Sequence, residues 1–233
     1  MLTQLRHAAR RKVVALLQEI RTVELHDIEG ERQRQSLLST VSFVNKYMST
    51  TTPVSAATPN SGKYQVLERA LKSARLDGLV LEFGVATGDT LRRIAAERTD
   101  AHGFDSFEGL PEDWRPGFAT GAFAQRLPEV GTATLHIGWF QDSLPRFLSE
   151  HPGPFAFVHI DADLYSSTKT IFELGKSRFV NGTVIVFDEY FNYPGWEQHE
   201  HQAFVEFIEK TGHAFEYLTY NPLHEQVAVR LIA

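Results

Sequence analysis

Short apolar runs alternate with amphipathic segments along the chain from residue 79 to its end. Apolar runs of about four to eight residues are typical of buried strands, and apolar positions three and four residues apart are typical of helices. The predicted strands are 79–85, 101–105, 133–139, 155–161, 183–188, 215–220 and 226–232. The predicted helices are 63–75, 89–98, 142–150, 166–178 and 199–211. This alternation predicts an α/β fold in which helices cover both faces of a mostly parallel, seven-stranded sheet.

The last two predicted strands differ from the others in how they are connected. Only the short polar stretch Asn221–Glu225 lies between them. A parallel crossover needs about a dozen residues or more. We therefore predict that these two strands form an antiparallel hairpin at the C-terminal end of the chain.

The first part of the chain has a different pattern. Apolar residues recur at roughly helical spacing among Arg and Lys over 1–29, and a second helix is predicted over 31–48. A basic amphipathic helix can touch a membrane or a nucleic acid, but we favour packing on the core or on another subunit of a homo-oligomer. Residues 49–61 are rich in Ser, Thr and Pro, and predict a connector or a mobile cover over a site. We expect an N-terminal helical extension with this loop over 1–62 and the main domain over 63–233.

Composition narrows the classes of function. Of the 233 residues, 42% are hydrophobic and 22% are charged, as in ordinary globular proteins, and the formal net charge is -6. An acidic chain is a poor general binder of nucleic acid, and the absence of cysteine excludes disulfides and thiolate metal sites. No apolar run approaches the roughly 20 residues that span a bilayer, and the basic N-terminus lacks the apolar region of a secretory signal. We expect a cytoplasmic protein that binds neither nucleic acid nor membrane.

The stretch Leu79–Thr90, LVLEFGVATGDT, joins an apolar run to the start of a helix through a glycine-bearing turn. Gly84 and Gly88 have no Cβ, so backbone N–H groups at this turn can approach a ligand closely. The Glu82 carboxylate suits a cationic group such as an ammonium better than a pyrophosphate. The spacing E-x-G-x-x-x-G also differs from the G-x-G-x-x-G of dinucleotide sites. The alternative is a tight strand–helix turn that binds no ligand.

Polar and aromatic residues follow the second and third predicted strands, at the sheet edge where open α/β sheets bind ligands. Asp105 is placed to accept hydrogen bonds from ribose hydroxyls, although it could also be a turn or cap residue. Trp139, Phe140 and Gln141 could enclose a purine, or the two aromatic residues could belong to the core. Asp142 could cap the helix that follows.

Four carboxylates follow the fourth and fifth predicted strands: Asp161 and Asp163 after one, Asp188 and Glu189 after the other. Neighbouring strands bring these groups to one sheet edge, where their charge needs a cation, protons or hydrogen-bond donors. Hard divalent ions such as Mg²⁺ bind such oxygen clusters, and we predict Asp161, Asp188 and Glu189 as the ligands. In the alternative, Asp161 contacts a cofactor, Asp163 caps the next helix and the others are solvated.

Two further features lie beyond these strand ends. His199 and His201 follow the fifth strand, and an imidazole with its ordinary pKa of about 6.5 suits a general base near neutral pH. Surface imidazoles at a polar helix start are the common alternative. The long connection 107–130 is rich in proline and aromatic residues, and it could cover a pocket or only anchor itself.

Over about residues 63–233, five segments occur in an order that can be compared with known families. They are EFGVATG from Glu82, GFDSFEG from Gly103, GWFQD from Gly138, HIDADLYSST from His159 and FDEYF from Phe187. In this order they resemble the class I S-adenosylmethionine-dependent methyltransferases. The closer resemblance is to the macrocin O-methyltransferase family, which acts on sugar hydroxyls of macrolides and on related natural products. The D-x-D-L-Y-x-S-T and D-E-Y segments carry it most specifically, whereas the glycine turn marks only the superfamily.

The resemblance implies a Rossmann-like sheet that binds S-adenosylmethionine. The glycine-turn residues would surround the methionine part of the cofactor, the acid after the second strand would hold the ribose, and the residues after the third strand would lie beside the adenine. The expected cofactor-binding residues are Glu82, Gly84, Val85, Gly88, Thr90, Asp105, Ser106, Phe140, Gln141 and Asp161.

The resemblance also implies Mg²⁺ on Asp161, Asp188 and Glu189, where it would position adjacent sugar hydroxyls. Asp161 or His199 would accept the proton from the acceptor. Family members often have two aspartates where this chain has Asp188 and Glu189, and the longer glutamate could move or abolish the metal site.

We therefore predict an S-adenosylmethionine-dependent O-methyltransferase that acts, with help from Mg²⁺, on a hydroxyl of a small molecule, a sugar or another natural product. A catechol acceptor is an alternative, because it also presents adjacent oxygens. A non-catalytic S-adenosylmethionine-binding protein of the same fold is a second alternative. The missing G-x-G-x-x-G and the terminal hairpin argue against a third, an NAD-dependent oxidoreductase.

Overall fold

The computed structural model describes residues 12–13 and 27–233, so the predicted helix over 1–29 lies almost entirely outside the described residues. The helices within 27–233 are α1 Ile28–Tyr47, α2 Pro59–Ser73, α3 Asp89–Glu97, α4 Phe140–Glu150, α5 Tyr165–Gly175 and α6 Glu200–Thr211, with short 3₁₀ turns at Lys176–Arg178 and Trp196–Gln198. The strands are β1 Leu79–Phe83, β2 Ala101–Asp105, β3 Thr134–Ile137, β4 Phe155–Ile160, β5 Val184–Phe187, β6 Ala214–Tyr220 and β7 Val227–Ile232.

All seven strands form one sheet in the order β3-β2-β1-β4-β5-β7-β6. The pairs among β1 to β5 are parallel, whereas β7 is antiparallel to both β5 and β6. The predicted Rossmann-like fold class with its C-terminal hairpin is therefore confirmed. The order reverses between β1 and β4, and ligands of open α/β sheets bind at such a switch point.

Helices cover both faces of the sheet, as predicted. On one face, residues of α4, α5 and α6 such as Phe147, Phe172 and Phe204 belong to one buried cluster. On the other face, residues of α2 and α3 such as Leu67 and Leu91 belong to a second. No helix in the described part of the chain combines the length and the apolar character needed to cross a membrane.

Helix α2 begins four residues earlier than its apolar pattern indicates, because a capping box precedes it. The Thr58 hydroxyl accepts from the Ser61 N–H at 3.2 Å, and the Ser61 hydroxyl accepts from the Thr58 N–H at 3.0 Å. Pro59 follows at the first helical position, where its fixed φ is favourable. The predicted boundary between 1–62 and 63–233 therefore falls inside α2, and the division into two parts stays a prediction.

Two helices begin without the predicted side-chain caps. Helix α4 starts at Phe140 with Trp139 as its N-cap, so Asp142 lies in the first turn instead of capping the helix. Helix α5 starts at Tyr165 with Leu164 as its N-cap, so Asp163 does not cap it either. Neither Asp142 nor Asp163 therefore acts as the N-cap that the sequence allowed.

The Ser/Thr/Pro-rich segment before α2 lies along β6. The Val54 N–H donates to the Tyr220 carbonyl at 3.0 Å, and the Thr219 hydroxyl donates to the Thr52 carbonyl at 2.9 Å. Val54 is also buried. The segment therefore connects α1 to α2 along a sheet edge, which matches the connector of the two alternatives.

Candidate active site

A cavity of about 740 Å³ opens at the carboxyl ends of the parallel strands. One side, the donor side, is lined by Gly84, Ala86, Asp105, Ser106, Trp139, Phe140 and Gln141. The floor carries an acidic cluster, Asp161, Asp163, Asp188 and Glu189, together with Lys63. The opposite side is an aromatic wall formed by Trp114, Arg115, Phe118 and Phe123 from the long connection 107–130. The predicted convergence of the four carboxylates is confirmed.

The glycine turn on the donor side is held by Asp105. The N–H groups of Val85 and Ala86 donate to one oxygen of this carboxylate at 2.8 and 2.9 Å. Gly84 has a φ of +85°, and a Cβ there would lie 1.7 Å from the Asp161 carbonyl oxygen. Only glycine fits this close approach, which joins the turn after β1 to the acidic loop after β4.

The predicted cofactor-binding residues divide into two groups. Those that line the cavity are Gly84, Asp105, Ser106, Phe140, Gln141 and Asp161. Val85, Thr90 and Glu82 are buried, and Gly88 is the N-cap of α3 with a φ of +78°; none of these four is among the described residues that line the cavity. The second group therefore belongs to the structure that supports the glycine turn and β1, outside the cavity lining.

Glu82 is fully buried, and its partner is a histidine on the neighbouring strand. Its Oε1 lies 2.8 Å from Nδ1 of His159, which is also buried. Burial raises the pKa of Glu82, and the contact with His159 opposes that rise. Burial disfavours the charged imidazole, but contacts with Asp188 and Glu82 outweigh it and raise the pKa of His159 to about 10. The Glu82 carboxylate thus has a protein cation beside it.

Trp139, Phe140 and Gln141 reach the cavity from the start of α4. Phe140 packs edge-to-face on Phe83 of β1, with ring centroids 5.3 Å apart. This contact fixes the first turn of α4 against the end of β1. The arrangement places an aromatic ring and an amide on the donor side of the cavity, and their role beside an adenine stays a prediction.

Lys63 is the cation of the acidic cluster, and sequence analysis did not identify it. Its Nζ donates to Asp161 Oδ2 at 3.1 Å and to Asp188 Oδ2 at 2.8 Å. Burial opposes the charge on Lys63, but the two carboxylates outweigh it and raise the lysine pKa. The pKa of Asp188 is lowered against the effect of burial, because Lys63 and His159 lie beside it. In the sequence, Lys63 lies in a helix before the first strand. No motif at a strand end therefore identifies it.

The rest of the acidic cluster fits a divalent cation. Oxygens of Asp161, Asp163 and Glu189 lie within 4.8 Å of one another. Glu189 Oε2 is buried and has no hydrogen-bond partner among the described residues. Burial, followed by neighbouring carboxylates, raises the pKa of Asp163 and of Glu189 well above the ordinary range. Carboxylate oxygens are ligands for hard divalent cations such as Mg²⁺, which also keep water or substrate oxygens in their coordination shell. Asp188 groups with His159 and Asp161 instead of with Glu189, so Asp163 is the better third donor beside Asp161 and Glu189.

The two candidate histidines are packed among aromatic side chains. His199 packs against Trp114 and Tyr193, with ring centroids 6.4 and 5.9 Å away. His201 packs edge-on against Tyr190, with the ring centroids 4.9 Å apart. Burial lowers the pKa of both. Neither is among the described residues that line the cavity.

The aromatic wall is fastened to the C-terminal hairpin through Arg115. Its guanidinium lies 3.9 Å from the centre of the Trp114 ring. Its Nη1 donates to Glu225 Oε1 at 3.0 Å, between β6 and β7. Phe118 and Phe123 stack with their ring centroids 5.3 Å apart. The long connection therefore does cover a pocket, which was one of the two predicted alternatives.

Comparison with known families and structures agrees with this geometry. The family described as "Methyltransferase domain" matches residues 81–190, which contain most of β1 and all of β2 to β5. No curated protein sequence matches the chain.

Among solved structures, calicheamicin methyltransferase CalS11 has a TM-score of 0.60 and 24% identity, over 72% of this chain and 79% of that one. Its apo form, described as a TDP-rhamnose 3'-O-methyltransferase, has a TM-score of 0.53 and 24% identity, over 72% of this chain and 80% of that one. The O-methyltransferase NovP has a TM-score of 0.55 and 20% identity, over 72% and 79%. At these identities the likeness concerns the fold. The domain match supports an enzyme, a methyltransferase.

Proposed function

We propose that this protein is an S-adenosylmethionine-dependent O-methyltransferase that acts on a hydroxyl of a small molecule, a sugar or another natural product. The observation that carries the proposal is the joining of three parts in one cavity: a glycine turn held by Asp105, an acidic cluster and an aromatic wall. S-adenosylmethionine would supply an activated methyl group on a sulfonium sulfur. The narrower assignment to the macrocin O-methyltransferase family belongs to the same proposal.

The donor side suits this cofactor in shape and charge. Asp105 already fixes the turn with one carboxylate oxygen, and its other oxygen accepts from the Phe107 N–H at 2.7 Å, at the cavity edge where a ribose would bind. Phe140 and Gln141 offer a ring face and an amide to an adenine. The carboxylates of the floor favour a cationic donor over a neutral or anionic one.

The floor suits the activation of a hydroxyl. Lys63 contacts Asp161 and Asp188, and Asp161 is the more exposed of the two. The exposed fraction of its side chain is 25%, against 6% for Asp188. We therefore assign Asp161 as the proton acceptor instead of His199. Mg²⁺ held by Asp161, Asp163 and Glu189 would lower the pKa of the acceptor hydroxyl. Burial raises the pKa of Asp161, and the charge of Lys63 opposes that rise.

The description of CalS11 as a TDP-rhamnose 3'-O-methyltransferase favours a sugar hydroxyl as the acceptor group. A catechol remains the second candidate, since its adjacent oxygens would reach the same three carboxylates. A non-catalytic binding protein would keep the donor side and lose turnover. All three candidates bind the same cofactor; the first two differ in the product formed, and the third forms none.

Calorimetric titration with S-adenosylmethionine, with Mg²⁺ or with a chelator, is the first test, with NAD as the control ligand. We expect micromolar binding of S-adenosylmethionine and none of NAD. Asp105→Asn should weaken that binding by about tenfold, or about 1.4 kcal/mol, whereas Glu209→Gln on the exposed side of α6 should not. Absence of binding to cofactor-free protein would overturn the proposal.

Release of S-adenosylhomocysteine with panels of glycosides and catechols then separates the candidates. Release with glycosides supports a sugar acceptor, and release with catechols supports the second candidate. Binding of S-adenosylmethionine without release of S-adenosylhomocysteine in the presence of any hydroxylated acceptor would identify a binding protein. Full turnover by an Asp161→Asn variant would remove Asp161 as the proton acceptor.

A further inference from the structure

Glu200, the first residue of α6, is a buried carboxylate between the two acidic loops. It is fully buried. Its Oε1 accepts from the Ala162 N–H at 3.3 Å, and its Oε2 accepts from the Glu189 N–H at 3.1 Å. Ala162 lies between Asp161 and Asp163. One side chain therefore bridges the backbone of the loop after β4 and the backbone of the loop after β5.

The bridge begins where the sheet stops holding these loops. The Asp161 N–H still donates to the Phe83 carbonyl at 2.8 Å, and the Asp188 N–H to the Ile160 carbonyl at 2.9 Å. One residue further along each loop, the acceptor is no longer a neighbouring strand but Glu200. The side chain therefore extends the hydrogen bonding of the sheet edge into the loops that carry the acidic cluster.

The backbone of the first loop has a conformation that needs such support. Asp163 has a φ of +60°, in the left-handed region that residues other than glycine rarely adopt. The preceding Ala162 is held by Glu200 on its N–H, and its carbonyl accepts from the Leu164 N–H at 2.6 Å. These bonds hold both peptide groups of Ala162 and so fix the direction in which Asp163 leaves the chain.

A carboxylate is a costly choice for this position. Burial and the neighbouring carboxylates of Asp163 and Asp161 disfavour its negative charge. The start of α6 partly offsets that cost, because the N-terminus of a helix favours negative charge. A carboxylate has two acceptor oxygens on one planar group, whereas an amide has only one. The geometry of Glu200 uses both oxygens.

We propose that Glu200 is a positioning residue that sets the spacing of Asp161, Asp163 and Glu189 by bridging the backbone of their two loops. The part of this inference that is tested by turnover rests on the proposed function. The parts that are tested by hydrogen exchange and metal binding do not. Within the described residues, the hydrogen bonds of Glu200 go to the two acidic loops, so we expect its loss to affect metal binding more than the binding of S-adenosylmethionine.

Glu200→Gln is the informative substitution, because it keeps the volume and one acceptor oxygen. Its amide N–H₂ would face a backbone N–H donor, so the variant can hold only one of the two loops. Partners that orient metal ligands typically change metal affinity or activity by about 10–100-fold when they are replaced. We expect losses of that size in Mn²⁺ affinity, measured by electron paramagnetic resonance, and in kcat. Glu209→Gln, on the exposed side of the same helix, is the matched control.

The expected pattern separates positioning from a general structural defect. Glu200→Gln should lower kcat and Mn²⁺ affinity, whereas the Kd for S-adenosylmethionine should change less. Equal losses in Mn²⁺ affinity and in S-adenosylmethionine affinity would indicate a general structural role and would overturn the proposal. Wild-type values for all three quantities would overturn it as well.

Amide hydrogen exchange on the wild-type protein tests the bridge even where the variant does not fold. We expect the amides of Ala162 and Glu189 to exchange slowly, at rates similar to those of Asp161 and Asp188, whose partners are strands. Fast exchange at both would show that Glu200 does not hold them. If the wild-type protein fails to bind S-adenosylmethionine, the proposed function fails, while hydrogen exchange and Mn²⁺ binding still decide the role of Glu200.

Discussion

Glu82 on β1 and His159 on β4 are register partners in adjacent parallel strands, with their Oε1 and Nδ1 atoms 2.8 Å apart. The other ring nitrogen of His159 lies 3.7 Å from Asp188 Oδ1. Asp188 in turn accepts from Lys63, which also donates to Asp161 at the cavity surface. Negative and positive groups therefore alternate from the interior of the sheet to the open carboxylate of the site.

Replacing His159 with glutamine should destabilise the protein strongly. The substitution leaves Glu82 buried without a cationic partner, and breaking a buried ion pair in this way typically costs about 3–5 kcal/mol. We expect a fall of that size in the free energy of unfolding, measured by urea titration. The control is Glu82→Gln/His159→Gln, which removes both charges and should lose less than the sum of the two single variants. Strictly additive losses would show that the two groups are not coupled.

Lys63→Met should make the stability of the protein depend on divalent cations. The variant removes the ammonium between Asp161 and Asp188, and we expect a loss of about 3 kcal/mol in the free energy of unfolding in the presence of a chelator. A divalent cation can take over part of the lost positive charge, so Mg²⁺ should raise the melting temperature of the variant more than that of the wild type. Lys72→Met, on the exposed side of the same helix, is the control. Equal effects of Mg²⁺ on all three proteins would contradict this account.

The sheet and the position of the site could be predicted because they depend on local pattern. Buried parallel strands appear as apolar runs, and the polar residues that follow them must meet at one edge. Asp105, Asp161 and Glu189 were found in this way. The partners of these groups could not be found, because they depend on packing between distant segments: Lys63 comes from a helix before the first strand.

The first residues of the helices could not be predicted reliably, because more than one residue near each start could act as the N-cap. Asp142 and Asp163 both precede or begin helical patterns, where acidic residues commonly act as caps. In the structure Trp139 and Leu164 hold the N-cap positions, and neither makes a side-chain capping bond. Asp163 is consequently available to the acidic cluster. The same pattern hid Glu200, which resembles any acidic residue in the first turn of a helix.

Arg115→Gln should weaken binding of the acceptor and leave the cofactor unaffected. Arg115 joins Trp114 of the aromatic wall to Glu225 of the hairpin, so its loss releases the wall and leaves Glu225 without its cation. We expect the KM for the acceptor to rise by about tenfold, equivalent to about 1.4 kcal/mol. The Kd for S-adenosylmethionine should not change.

The matched control for Arg115 is Arg126→Gln, an exposed arginine in the same long connection. Amide exchange over 107–130 provides a readout that needs no acceptor, and it should become faster in Arg115→Gln only. A change in cofactor affinity as large as the change in acceptor KM would argue that Arg115 supports the whole cavity instead of its aromatic wall.

The stability of the β2–β3 edge should fall in mild acid because of His136. Its Nε2 lies 3.1 Å from Nδ1 of His102, and both rings are half-buried. Burial, followed by the charge of His102, lowers the pKa of His136 from 6.5 to about 4. The unfolded chain therefore binds a proton between these two pH values while the folded chain does not, so the free energy of unfolding falls as the pH drops through that window. The other charged groups that face His136 are His151, Glu150 and Arg146.

Urea titrations across this window measure the effect. Because His136 is only half-buried, solvent screening reduces the expected loss to about 1 kcal/mol between pH 6.5 and about 4. His136→Gln cannot take up the proton, so its free energy of unfolding should depend less on pH over the same range. His213→Gln, after α6 and away from the pair, should keep the wild-type slope. An unchanged slope in His136→Gln would mean that the acid sensitivity arises elsewhere in the molecule.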